Sequence, residues 1–263
     1  MKVYIITDME GISGVWRQEM VQPTAPDHYA VGRRLLMADI NAAVRGAFDG
    51  GATEVIVNDG HGGAPHLLLE EMDERAEYVR PAGGACPMVG LDESFDAVFH
   101  LGAHAMAGTR DAFLDHTQSS ASWYNFYLNG AKYGELGQTA IIAGHYGVPL
   151  VLVCGDLAAC AEARDLLGEG NCVTVSVKEG IGRQWARCLQ PMRAQRMIEE
   201  AAKQSLQLVG KAQPYRIETP IRVRLEFYRS DMADPYDNHP RVERVGAREI
   251  EVTVPDALHI MNW

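Results

Sequence analysis

"VYIITDMEGISG", residues 3 to 14, is an apolar run of strand-forming residues that stops at two carboxylates, Asp8 and Glu10, and then passes into glycines. Such a run, without alternating polar residues, fits a strand buried on both faces, as in the parallel sheets of α/β proteins. Similar runs recur at "EVIVN" (54–58), "AVFHLG" (97–102) and "VPLVLVCGD" (148–156). Between several of them lie segments with helical apolar spacing. The clearest runs from about Tyr29 to Phe48, with Val31, Leu35, Ile40, Val44 and Phe48 near one face and Gly50-Gly51 as its stop signal. "LAACAEARDLLGEG" (157–170) closes in the same way. The alternation predicts an α/β fold, a mostly parallel sheet flanked by helices.

One stretch breaks this pattern. "SSASWYNFYLNGAKYGELG" (119–137) carries aromatic, strand-like residues around Asn129-Gly130, a strong hairpin-turn pair, and predicts an antiparallel hairpin at the rim of the sheet. After Gly180 the chain turns to an amphipathic segment, Gln190 to Val209, and then to alternating strands "IRVRLEFY" (221–228) and "REIEVTV" (248–254), separated by the polar loop "DMADPYDNHPR" (231–241). The expected division is a metal-binding α/β domain over 1–185 and a second, smaller α+β domain over 186–263.

The bulk composition narrows the function classes. With 263 residues, 47% of them hydrophobic, the chain has material for a large core. A net charge of -11, spread without any Lys/Arg run, excludes nucleic acid as the expected partner. No apolar stretch approaches the roughly 20 residues that span a bilayer, and no leader pattern opens the chain, so it reads as cytoplasmic with no membrane partner. Cys86, Cys154, Cys160, Cys172 and Cys188 are odd in number and form no C-x-x-C pair; buried free thiols are expected.

In open α/β sheets, ligands bind beyond the carboxyl ends of the strands. Asp8 and Glu10 lie at such an end, His61 follows "TEVIVNDG", and His104 follows "AVFHLGA". Glu135 comes just after the hairpin, in "YGELG". Three strand ends can thus deliver an Asp, a Glu and two His to one rim, and the hairpin adds a second Glu. Five such groups exceed what one tetrahedral zinc ion uses. If one carboxylate bridges, they suit two metal ions about 3.5 to 4 Å apart sharing a water. Mixed imidazole and carboxylate ligation favours Zn, with Mn, Co or Fe as alternatives, over Mg or Ca. On this reading, the two carboxylates stand at the strand tip because cations sit between them and the histidines.

Each residue also has a plainer reading. Asp8 without the histidines reads first as a helix or turn cap, and His61 reads equally as an ordinary loop histidine, although its flanking glycines leave room for a ligand. His100 falls inside its strand and reads as a core histidine. His116, in "FLDHTQSS", has a side chain suited to moving protons near neutral pH and reads equally as a proton shuttle or a loop residue. His28, His66, His145, His239 and His259 read as structural or surface residues. There is no G-x-G-x-x-G opening a helix, no P-loop lysine and no G-x-S-x-G elbow. Ser119, Ser120 and Ser122 fall in a strand-like run, which disfavours a serine hydrolase.

Taken together, "TDMEGISG", "VNDGHGG", "LGAHAMAG", "DHTQ" and "GELG", in this order, resemble the zinc-dependent D-aminopeptidases of the M55 peptidase family, from residue 1 to about 210. The resemblance implies a dinuclear zinc site with Asp8 bridging, Glu10 and His61 completing one metal position, and His104 and Glu135 the other. It implies His116 as the catalytic histidine, and hydrolysis of short D-peptides of the D-Ala-D-Ala type. It further implies a site in the cleft between two domains and a homo-oligomeric ring, a decamer in the prototype. The "DNHP" loop departs from the family pattern, and family members usually continue beyond the position of Trp263 with a longer C-terminal helix. Two rivals use the same residues. A dinuclear metal phosphoesterase would add an Arg or Lys near the metals, for which Arg110 is the obvious candidate, and a non-enzymatic ligand-binding ring protein would carry no stoichiometric metal.

Overall fold

The computed structural model describes residues 1–63, 65–80 and 88–263. In chain order its main elements are β1 (Lys2–Thr7), α1 (Pro26–Asp49), β2 (Glu54–Asp59), β3 (Glu77–Val79), β4 (Ala97–Ala103), β5 (Trp123–Leu128), β6 (Ala131–Lys132), α2 (Glu135–His145), β7 (Leu150–Asp156) and α3 (Leu157–Leu167). There follow β8 (Val173–Gly182), β9 (Trp185–Cys188), α4 (Pro191–Ser205), β10 (Ile221–Phe227), β11 (Glu243–Gly246) and β12 (Glu249–Val254).

Among the described residues, one sheet has the order β3-β2-β1-β4-β7-β8-β9. It is parallel except for β9, which returns antiparallel to β8. The strands of the opening run and of "EVIVN" are adjacent, with Ile5 opposite Val57, and β4 lies on the other side of β1, with Ile5 opposite Phe99. The chain therefore builds outward from β1 in one direction and then crosses over to build in the other. This reversal between β1 and β4 opens a crevice at their carboxyl ends, where open α/β sheets hold their ligands.

Both faces of the sheet are covered, which explains the unbroken apolar runs. On β1, Val3 and Ile5 join a core shared with α1 and α4, while Tyr4 and Ile6 join a second core with α2, α3 and the other sheet. That other sheet is antiparallel, in the order β11-β12-β10-β5-β6. The hairpin at Asn129-Gly130 forms as expected, but it lies at the edge of the second sheet, where β5 pairs with β10. Its aromatic residues mark burial without specifying which sheet covers them.

α1 is longer than its apolar stripe implied, and its buried side is broader. Leu36, Met37, Ala43 and Ala47 are buried with Ile40 and Val44, whereas Val31 is exposed. The reason is that α1 packs against both the sheet and α4, so small residues off the expected stripe are covered by the second helix. Cys154 and Cys160 are buried free thiols, and Cys172 and Cys188 are partly buried free thiols. Burial pushes the thiol pKa of Cys160 and of Cys172 up to about 12. Cys86 lies outside the described residues.

Candidate metal centre

Asp8 is the first residue beyond β1, His61 the second beyond β2, and His104 the first beyond β4. Close backbone packing draws two of these strand ends together. Asp8 N–H donates to Leu101 O and Gly11 N–H to Gly102 O, both at 2.8 Å. A Cβ on Gly102, whose φ is +75°, would stand 2.0 Å from Asp8 O, and one on Gly11 would stand 2.2 Å from Ala103 O. Only glycine permits that approach.

The five expected ligands converge. His61 Nδ1 lies 2.7 Å from Asp8 Oδ1 and 3.2 Å from Glu10 Oε2. His104 Nε2 lies 3.2 Å from Asp8 Oδ2 and 3.3 Å from Glu135 Oε1. The Asp8 carboxylate thus faces one imidazole with each oxygen. Glu135 opens α2, and its Oε1 also accepts the Gln118 N–H at 2.7 Å. His116 joins them: its ring stacks on that of His104 with centroids 4.0 Å apart, and its Nε2 lies 3.7 Å from Glu135 Oε1.

Backbone carbonyls fix the histidine tautomers. The Nε2–H of His61 donates to Val21 O at 3.0 Å, the Nδ1–H of His104 to Ala105 O at 3.0 Å, and the Nδ1–H of His116 to Leu114 O at 2.8 Å. Because a carbonyl only accepts, each neutral ring is left with a lone pair on its other nitrogen, and that nitrogen faces carboxylate oxygen. Lone pair against carboxylate is repulsive unless a cation lies between them, either a proton on the ring nitrogen or a metal ion.

The same conflict governs the protonation equilibria. Burial drives the His61 and His104 pKa values down, but Glu10 and Asp8 around the first, and Glu135 and Asp8 around the second, outweigh it and hold both well above the usual histidine range. Burial pushes Asp8 up, and the two imidazoles more than offset this, leaving it well below the usual carboxylate range. Glu10 Oε2 and His104 Nε2 are buried without a hydrogen-bond partner among the described residues. Buried polar atoms of this kind call for a ligand. Asp8, Glu10 and His104 form one group spaced to hold a metal ion, and His104, His116 and Glu135 form another. The residues present fit a metal.

Several supporting residues have no motif in the sequence. Lys178 Nζ, fully buried on β8, donates to the carbonyls of Glu10 and Val15, both at 2.5 Å, and burial pushes its pKa down to about 8. Asp39 on α1 accepts from Ser13 N–H at 2.8 Å and from its hydroxyl at 2.6 Å. Asp156 accepts from Phe113 N–H and Gly180 N–H, each at 2.9 Å, anchoring the loop that carries His116. His66 is hydrogen-bonded to Asp59, 2.8 Å from Nδ1 to Oδ1, and meets the His61 ring edge-on at 4.8 Å. His100 is a buried strand residue whose pKa burial lowers to about 4, in line with its reading as a core histidine.

The cluster opens into a cavity of about 490 Å³, within the range of small-molecule sites. Ser119 and Ser120 line it from the turn before β5 rather than from a strand. Arg183 also lines it. Arg110, the cation that a phosphoesterase site would recruit, has a 92% exposed side chain, pairs with Asp111, and lines a different cavity.

The fold and site define a class: an α/β protein with a buried His/carboxylate cluster at the switch point of its sheet, the arrangement of a metal-dependent hydrolase. Comparison with known proteins gives the family. The Peptidase M55 model, described as D-aminopeptidase, matches residues 1–263, so the likeness extends past the region around residue 210 where the motifs fade. A D-aminopeptidase of Bacillus subtilis (strain 168) is 33% identical over 260 residues, covering 98% of this chain and 93% of that protein. A solved structure described as the Zn-dependent D-aminopeptidase DppA from Bacillus subtilis, a self-compartmentalizing protease, superposes with a TM-score of 0.93 at 32% identity, covering 99% of this chain and 94% of that one. The chain belongs to the M55 family of D-aminopeptidases and is a peptide hydrolase.

Proposed function

We propose that the chain is a zinc-dependent D-aminopeptidase acting on short D-peptides of the D-Ala-D-Ala type through two zinc ions per chain. Asp8 would be shared between the two positions, with Glu10 and His61 holding one and His104 and Glu135 the other. The observation that carries this reading is the Asp8 carboxylate, whose two oxygens face the lone-pair nitrogens of two different histidines at 2.7 and 3.2 Å. When bound, the metals supply a water acidified toward a pKa of about 7 and polarise the scissile carbonyl.

The chain's own residues do the rest. His116 Nε2, its ring held by Leu114 O and stacked on His104, delivers a proton to the leaving amine or steadies the oxyanion. Gln118 N–H holds Glu135 in place, and the Lys178 ammonium holds the backbone of the Asp8–Glu10 turn. Preference for the D-isomer follows the family likeness.

Assembly is part of the proposal. The structurally similar protein is called self-compartmentalizing, and large apolar side chains at Trp16, Ile181, Trp185 and Met192 are exposed here, in support of a homo-oligomer, whose form as a decameric ring follows the family resemblance alone. The smaller unit of this proposal is the second sheet, in which β10, β11 and β12 join the β5–β6 hairpin, because β9 and α4 pack with the first sheet and a division at residue 185 would separate them from it.

The test is hydrolysis of D-Ala-D-Ala by zinc-loaded protein beside L-Ala-L-Ala and p-nitrophenyl phosphate. D-selective peptide cleavage is expected. Cleavage of the phosphate ester alone would replace the peptidase reading with the phosphoesterase one.

A further inference from the structure

The cavity over the metal cluster is strongly polarised. At its floor stand Asp8, Glu10 and Glu135, while the sole Lys or Arg among its described lining residues is Arg183, at the turn between β8 and β9. This turn is stitched to the loop of His116: Leu114 N–H donates to Arg183 O at 2.9 Å, and Arg183 Nε donates to Asp115 O at 3.3 Å with Asp115 Oδ1 at 3.5 Å. Asp115 is itself anchored, its Oδ2 accepting the Gly108 N–H at 2.7 Å. The guanidinium is therefore held on the wall next to the catalytic loop by its Nε edge. Its two terminal nitrogens make no hydrogen bond among the described residues.

A guanidinium held by Nε presents its Nη1/Nη2 edge as a planar two-donor fork, which matches a carboxylate. In a peptidase that takes short peptides, the anion available is the substrate's own C-terminus. We propose that Arg183 binds the C-terminal carboxylate of the peptide, so that the cavity selects free-acid di- and tripeptides by spanning from the metal cluster to this cation. The inference rests on the aminopeptidase reading above and adds the residue that sets substrate length and terminus. It also explains the cavity's size. Two residues of extended chain span about 7 Å, and a cavity of about 490 Å³ is on the scale of a small-molecule site.

The experiment compares D-Ala-D-Ala with its C-terminal carboxamide, using zinc-loaded wild type, Arg183→Gln and Arg183→Lys. Wild type should show a KM about tenfold lower for the acid than for the amide, a moderate effect because the guanidinium is 42% exposed and partly screened. Arg183→Gln should bring the acid-to-amide KM ratio toward one, and Arg183→Lys should retain part of it. Loss of folding alone would lower both rates without changing that ratio. Equal KM values for acid and amide in wild type, or the same ratio in wild type and Arg183→Gln, would overturn this proposal while leaving the peptidase reading intact. Failure of wild type to cleave either substrate would overturn both.

Discussion

The imidazole rings of His104 and His116 lie stacked, 4.0 Å between centroids and 11° between planes, with both Nε2 atoms turned to the same oxygen of Glu135. The stack places a proton carrier against a proposed ligand without requiring it to be one. The spacing of His104, His116 and Glu135 would also suit a metal ion, so the two roles of His116 need separating.

His116→Ala separates them. As a proton shuttle, His116 contributes about 10²- to 10⁴-fold to turnover, and its removal should lower kcat on that scale while zinc per chain stays at the wild-type value. Loss of one zinc in the variant, measured by elemental analysis, would make His116 a ligand instead.

Gly102→Ala tests the close packing of the two strand ends. A left-handed backbone costs a non-glycine residue about 1–2 kcal/mol, and here the added Cβ also meets Asp8 O at 2.0 Å. The variant should lose at least about 2 kcal/mol of stability in urea unfolding. It should also bind zinc less tightly, because Asp8 must move. Wild-type stability and metal content would show that the two loops are not locked together.

Asp39 gives a pH-dependent signature. Burial raises its pKa from 3.8 to about 6, despite the bonds from Ser13. The folded state therefore holds a proton that the unfolded chain has already released, so this group's contribution to stability is full below pH 3.8 and is lost as pH rises through 6. Over that window the loss is at most about 3 kcal/mol. Asp39→Asn removes this titration. Measured against wild type by urea unfolding, the variant should gain stability between pH 4 and pH 7. A pH-independent difference would mean that Asp39 is ionised throughout in the fold.

Ring assembly predicts that light scattering of the purified chain gives a mass near that of a decamer, in one species. A monomer under the same conditions would remove the compartment from the account.

The sequence made the strand ends legible. Each apolar run stops at the carboxyl end of its strand, so Asp8, Glu10, His61 and His104 stand out as polar groups at the rim, and Glu135 follows a hairpin signalled by Asn129-Gly130. What holds them in place was not legible. Lys178 is 168 residues from Glu10 and sits inside a strand pattern, where a lysine reads as an exposed face. Asp39 and Asp156 likewise reveal their role only through the backbone amides they meet in space. Arg183 lies in a polar turn like many others, and only the crossing of that turn over Asp115 brings it to the cavity. For α4, the apolar spacing announces a buried face but not that α1 is its neighbour. Local patterns show what must be buried or ligated, whereas partners distant in sequence follow from topology.

The most direct test titrates zinc into metal-free protein and follows D-Ala-D-Ala hydrolysis on the same samples. The account predicts activity that saturates at two zinc ions per chain, with the L,L isomer left largely uncut. Full D-peptide hydrolysis without metal, or saturation with zinc and no cleavage of the D-dipeptide, would contradict it.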